Sequence, residues 1–234
     1  MIGIIGAMQS EVDGLKKIME QAEIKNFSSV EFVKGKISGV DVVVAQAGVG
    51  KVNAALTAQT MILMFKTDCV INIGVAGGLE PSLKIGDVVV ADKVCEHDMD
   101  TTALGDLPGF ITGLDRVYMD ADKEITNLLY EASNEIGIHT IIGTVASGDQ
   151  FISTPGQRTK IIDTFNGYAA EMEGASIGHV CTMNGVPFGV LRAISDGAND
   201  ESTMDFPTFV QMAADRSIEI IKLMLTKMKE RELI

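Results

Sequence analysis

Four short clusters place charged or aromatic side chains at the ends of apolar runs. In Ala170-Glu171-Met172-Glu173-Gly174 two acidic residues interrupt a strand-to-helix junction. The helix macrodipole accounts for any one glutamate there, but two flanking a methionine exceed that explanation. Leu191-Arg192-Ala193-Ile194-Ser195-Asp196-Gly197 sets a charged pair at the end of an apolar run that starts at Phe188. Such a pair is either a buried structural ion pair or one that faces a ligand crevice, where strand ends of α/β sheets bind small molecules. Ser147-Gly148-Asp149-Gln150-Phe151-Ile152 adds an aromatic ring just beyond a strand, on which a flat ring can stack. Core packing is the plainer role for Phe151 taken alone. In Asn72-Ile73-Gly74-Val75-Ala76-Gly77-Gly78, glycines directly after an apolar strand allow a sharp bend and a close approach to a ligand, or only a tight turn.

Two glycine patterns lead nowhere. Gly48-Val49-Gly50-Lys51 imitates a phosphate loop, yet that loop requires Gly at position 45 and Ser or Thr after the lysine, where Ala45 and Val52 stand. Gly3-Ile4-Ile5-Gly6 lacks the dinucleotide spacing, so a nicotinamide cofactor is unsupported and no cofactor is expected. Cys69, Cys95 and Cys181 are odd in number, widely spaced and set in or beside apolar runs, as small core residues of a reducing compartment are. His97, His139 and His179 lie apart from one another and from the cysteines, so no metal is expected.

The elements that must position these clusters are short apolar runs alternating with segments of helical period, the pattern of an α/β fold. Strands are expected at Ile2 to Gly6, Val30 to Ile37, Val40 to Ala47, Cys69 to Gly74, Asp87 to Val94, Thr140 to Ser147, Tyr168 to Glu171 and Phe188 to Ile194. Helices are expected at Lys51 to Phe65, Lys123 to Ile136, Pro155 to Phe165, Gly174 to Met183 and Phe206 to Lys229, whose apolar residues recur at three and four. Glu96 to Met119 breaks the rhythm as a long irregular segment, and such loops are functional or disordered. The 234 residues are expected to form one domain spanning 1–234, since no repeats or interdomain linker are seen. A net charge of −13 disfavours nucleic acids and anionic membranes as partners. With no basic leader and no run of eighteen apolar residues, a cytoplasmic protein is expected.

Taken in order, Gly3 to Glu11, Ala76-Gly77-Gly78-Leu79, Ser147 to Ile152, Glu171-Met172-Glu173 and Arg192 to Asp196 resemble the 5′-methylthioadenosine/S-adenosylhomocysteine nucleosidases along essentially the whole chain. That family lies in the nucleoside phosphorylase superfamily. The resemblance implies a single α/β domain with a central mixed, partly barrel-like β-sheet flanked by helices, and a homodimer. It implies hydrolysis of the N-glycosidic bond of 5′-methylthioadenosine, S-adenosylhomocysteine and 5′-deoxyadenosine, releasing adenine and the 5-substituted ribose.

The resemblance also gives roles. Asp196 is the expected general acid toward adenine N7, with Ser195 orienting it. Glu11 is expected to activate the attacking water and Arg192 to help position it. Glu173 is expected to bind the ribose 2′- and 3′-hydroxyls beside Glu171, with Met172 beneath the sugar. Phe151 stacks on adenine and Ile152 offers backbone groups to the base edge. Met8 and Phe206 wall the 5′-alkylthio group, Val75, Ala76 and Gly77 line the glycine segment, and Leu107 and Pro108 come from the neighbouring subunit. Val75 departs from the family, whose members commonly carry Ser there, so one hydroxyl of the polar network is missing. Three rivals stay open: a phosphorylase, against which stands Asn72 where several purine phosphorylases carry Arg; a hydrolase of 6-amino-6-deoxyfutalosine; and a non-catalytic nucleoside-binding module.

Overall fold

β-Branched runs form the centre of the molecule, a computed structural model that describes residues 1–196 and 206–233. The first half contains β1 (Ile2–Gly6), α1 (Gln9–Ile18), β2 (Glu20–Phe27), β3 (Val30–Ile37), β4 (Val40–Gln46), α2 (Lys51–Thr60), β5 (Cys69–Gly78) and β6 (Val88–Glu96). The second half contains β7 (Tyr118–Asp120), α3 (Lys123–Glu135), β8 (Thr140–Ser147), α4 (Pro155–Phe165), β9 (Gly167–Glu171), α5 (Gly174–Asn184), β10 (Phe188–Asp196) and α6 (Phe206–Glu230). A π-helical turn, Met61–Phe65, ends α2, and 97–117 is irregular apart from a 3-10 turn at Thr102–Leu104 and an isolated bridge between Ile111 and Arg116.

All strands join one mixed sheet. β5, β10, β6, β8 and β9 close into a ring, because β5 pairs in parallel with β10 and antiparallel with β9. β1, β4, β3 and β2 continue from β5 as an open extension, and β7 lies along β6. The expected partly barrel-like mixed sheet is the fold observed. Residues alternate between two packed faces, as the two-residue period of a strand requires. Ile2, Ile4, Val42, Val44, Ile71 and Ile73 meet Val12 and Leu15 of α1, Leu128 and Leu129 of α3, and Ile220 and Leu225 of α6. Val43, Ala45 and Val70 meet Ala54 and Ala58 of α2 and Ile177 and Cys181 of α5.

Helix starts follow local chemistry. Asp122 accepts the Glu124 and Ile125 N–H groups at the start of α3, and Thr154 with Gln157 forms a capping box around Pro155 at the start of α4. Cys69, Cys95 and Cys181 are unpaired and buried, and burial pushes each thiol up to about 12, so they behave as small apolar residues.

Three elements were not expected: α1, β2 and β7. α1 buries only Glu11, Val12 and Leu15, too few for a visible apolar stripe. β2 is exposed along almost its whole length and exists through its pairing with β3. The expectation that Asn72 to Gly78 turns sharply after a strand is also corrected. β5 runs on to Gly78, and Gly77 and Gly78 pair with Ala170 and Ala169. Its glycines serve close approach within a strand, not a bend.

Candidate active site

The ends of β5, β9 and β10, the start of α1 and the turns before α2 and α4 surround one pocket. Its lining includes Met8 and Glu11, Val75, Ala76 and Gly77, Phe151 and Ile152, Glu171, Met172 and Glu173, and Arg192, Ser195 and Asp196. Thirteen of the residues expected from the sequence are thus brought together. Ala7, Val49, Gln150 and Ala170 also line it and were missed. Val49 belongs to the turn discarded as a false phosphate loop, and its apolar side chain gave no separate signal. Leu107 and Pro108 are exposed and stand outside the pocket of their own chain. Phe206 opens the backbone of α6, and its side chain lies outside the described residues.

Glu11 is held from three directions. Its Oε2 accepts the Ala7 N–H at 2.7 Å and the Met8 N–H at 2.9 Å, and its Oε1 accepts the Val75 N–H at 3.3 Å. Burial raises its carboxyl above the ordinary range, against the pull of Arg192 and of these N–H groups. A raised carboxylate is a better proton acceptor.

Arg192 is fully buried opposite Gly74, its register partner on β5. One terminal nitrogen, Nη2, donates to Glu171 Oε2 and Asn72 Oδ1 and lies 3.7 Å from Glu173 Oε2. Nη1 crosses over Gly74, where a Cβ atom would lie 2.1 Å from it and 2.8 Å from Glu11 Oε1. Only glycine lets the guanidinium and the Glu11 carboxylate share that space.

The two glutamates around Met172 differ in use. Glu171 accepts from Ser147 Oγ, from Arg192 and from the Glu173 and Gly174 N–H groups at the start of α5, so its oxygens are occupied by the protein. Glu173 accepts the Gly50 N–H at 2.9 Å. Burial and the neighbouring Glu171 push it up to about 7, while Arg192 and the Gly50 N–H act in the opposite direction.

Asp196 sits at the end of β10, where its Oδ1 accepts Ser195 Oγ–H at 2.7 Å and its Oδ2 accepts Arg158 Nη2–H at 3.2 Å. Gly77 gives it room, since a Cβ there would lie 3.2 Å from Oδ2. Of the partners that hold these acids, Asn72, Gly50 and Ser147 stand in segments that the sequence singles out, whereas Arg158 stands in none. Their pairings with the acids arise only through tertiary packing, and no local pattern marks which acid each one meets. Among the described residues no group of three or more His, Cys, Asp or Glu is arranged to hold a metal ion.

The phosphorylase superfamily profile matches residues 1–226. A 5′-methylthioadenosine/S-adenosylhomocysteine nucleosidase of Geobacillus kaustophilus is 39% identical over 230 residues, which cover 97% of each chain. The chain belongs to this nucleosidase family. The crystal structure of the Campylobacter jejuni 5′-methylthioadenosine/S-adenosylhomocysteine nucleosidase superposes with a TM-score of 0.92 at 35% identity, covering 97% of this chain and 98% of the other. Futalosine hydrolase of Helicobacter pylori superposes with a TM-score of 0.89 at 36% identity, covering 97% of both. The curated relatives and these neighbours share the whole domain, so the family extends through β5, β9 and β10, where the pocket lies.

Proposed function

We propose that this protein hydrolyses the N-glycosidic bond of 5′-methylthioadenosine and S-adenosylhomocysteine, and of 5′-deoxyadenosine, releasing adenine. The observation that carries this reading is the pair of carboxylates in one pocket: Glu11 buried and clasped by backbone N–H groups, Asp196 half-buried beside Ser195. Asp196 supplies the proton that turns adenine from a poor anionic leaving group into a neutral one. Glu11 takes a proton from water as that water attacks C1′, and Arg192, crowded against the same point over Gly74, orients it. As the bond breaks, positive charge grows on the ribose, and the buried carboxylates of Glu11 and Glu173 oppose it electrostatically.

Binding is shared out along the pocket. Glu173 accepts the ribose hydroxyls, Met172 packs beneath the sugar, and Phe151 stacks on the base while Ile152 offers backbone groups. Glu171, its oxygens already taken, holds Arg192 in place and touches substrate least.

Water is favoured over phosphate for an electrostatic reason. Phosphate needs cations free to receive it. Arg192, the cation lining this pocket among the described residues, already donates to Glu171 and Asn72, and three carboxylates surround it. The test is product analysis. Adenine and free 5-methylthioribose should form equally fast in phosphate-free buffer, whereas 5-methylthioribose 1-phosphate as the main product overturns hydrolysis. The likeness to futalosine hydrolase of Helicobacter pylori favours a second reading in which 6-amino-6-deoxyfutalosine is also cleaved, and the same chromatography decides it.

The active species is a homodimer. Val49 and Phe151 are exposed at the pocket mouth of a single chain, and Leu107 is 68% exposed with Pro108 beside it. Apolar side chains exposed at the rim of a ligand pocket are a surface that a second copy of the chain can cover. Leu107 and Pro108 of a second copy would close the alkylthio end. Three unpaired cysteines and an acidic surface support a cytoplasmic location, away from nucleic acid and membranes.

A further inference from the structure

The Gly48-Val49-Gly50-Lys51 turn, whose sequence imitates an anion loop, is turned on anions that the protein itself supplies. Gly50 N–H donates to Glu173 Oε1 at 2.9 Å and Lys51 N–H to Asp149 Oδ1 at 2.8 Å. Gly50 has φ +98°, and a Cβ there would meet Asp149 Oδ1 at 3.0 Å, so the turn requires glycine. The Lys51 ammonium donates to Glu96 Oε2 at 2.9 Å and to Asp98 Oδ1 at 2.7 Å. Asp98 accepts the Asp149 N–H at 2.8 Å through its other oxygen, and Glu96 Oε1 lies 2.9 Å from His179 Nδ1. One lysine thus ties the start of α2 to the end of β6 and to the turn after β8. Burial opposes its charge, but the contacts with Asp98 and Glu96 outweigh that and hold Lys51 above the ordinary lysine range.

We propose that Lys51 is a positioning residue for the reaction, acting through α2 to hold the Gly50 N–H on Glu173 so that this carboxylate presents its oxygens to the ribose hydroxyls. The inference rests on the reading of Glu173 as the ribose acceptor. An ionised carboxylate accepts through both oxygens, whereas the protonated form turns one into a donor. Glu173 is faced by Glu171 on β9, Arg192 on β10 and Glu11 on α1, with Lys51, Glu96, Asp98, Asp149 and His179 behind the turn. Burial and Glu171 already push it up to about 7. Taking the Gly50 donor away pushes it further in the same direction, so the acidic limb of kcat/KM moves to higher pH.

Lys51→Met keeps the apolar stem and removes the tie. KM for 5′-methylthioadenosine should rise about tenfold, the effect of losing one charge-assisted hydrogen bond. Turnover should fall by less than about threefold, because the acid and base are untouched. The acidic limb should shift upward, and Lys51→Arg should restore most of both. Combined with Glu173→Gln, the Lys51→Met loss should shrink, since both changes act on one contact. Asp98→Asn should move KM and the acidic limb the same way by a smaller amount, and it serves if Lys51→Met does not fold. Unchanged KM and pH profile in a folded Lys51→Met protein, or losses that add in full to those of Glu173→Gln, overturn the proposal. A wild-type protein that leaves 5′-methylthioadenosine intact overturns instead the reading of the site, and the inference with it.

Discussion

Adding a single methyl group at Gly74 tests the crowded point of the site. The new Cβ would lie 2.1 Å from Arg192 Nη1 and 2.8 Å from Glu11 Oε1, both far inside contact distance. Side-chain ends ordinarily yield, but neither is free to do so. Arg192 is 1% exposed and bound to Glu171 and Asn72, and Glu11 is clasped by three backbone N–H groups. Overpacking of this kind costs about 1–3 kcal/mol, against roughly 0.4–1 kcal/mol gained by restricting the unfolded chain. The balance, a net loss of up to about 2.6 kcal/mol, lowers the melting temperature of a domain this size by up to roughly 10 °C. Activity should suffer more, since displacing a catalytic group by about 1 Å costs on the order of 100-fold. Gly156→Ala is the matched control: nothing lies within 4 Å of its Cβ position, and it sits in the first turn of α4. That change should raise stability by about 0.5–1 kcal/mol and leave kcat/KM alone. Calorimetry and initial rates in phosphate-free buffer read both. A Gly74→Ala protein with wild-type melting temperature and wild-type kcat/KM refutes the argument that Arg192 and Glu11 are fixed against each other.

Two further changes separate chemistry from assembly. Asp196→Asn should keep KM within a few-fold while turnover falls about 10²–10⁴-fold, as loss of a general acid requires; near-normal turnover in the folded variant removes Asp196 from the mechanism. Leu107→Asp places a charge on an apolar side chain that is 68% exposed in the single chain, so it should leave the fold intact and weaken the dimer. Sedimentation should show monomer with reduced specific activity, and a fully active monomer would refute the shared pocket.

What the sequence made legible follows from where its signals are local. Val40 to Gln46 and Phe188 to Ile194 announce themselves as strands because buried strands are runs of apolar, largely β-branched residues. β2 hides because Glu20, Glu23 and Lys25 dominate it, and an edge strand's backbone partner leaves no mark on its own side chains. The charged clusters were readable because acids at strand ends break an apolar pattern. What each acid touches was not. Glu171 and Glu173 look equivalent in sequence, yet one is used up on Ser147, Arg192 and the start of α5, while the other is bound through Gly50, which is 123 residues away. The false phosphate loop misled in a similar way: its glycines do present N–H groups to anions, but the anions are Glu173 and Asp149.

Strand β5 carries consequences for how the molecule moves. It runs beside β1 on one edge and β10 on the other, and its far end pairs with β9. A strand bound on both edges cannot fray alone, so exchange of its central amides with solvent waits for opening of the whole domain. Val75, Ala76 and Gly77 lie on that strand, whereas Val49 and Phe151 are exposed in turns above it. The floor of the pocket therefore rests on a strand whose centre opens only with the fold, and Asn72, which holds Arg192, lies in the stretch paired on both edges.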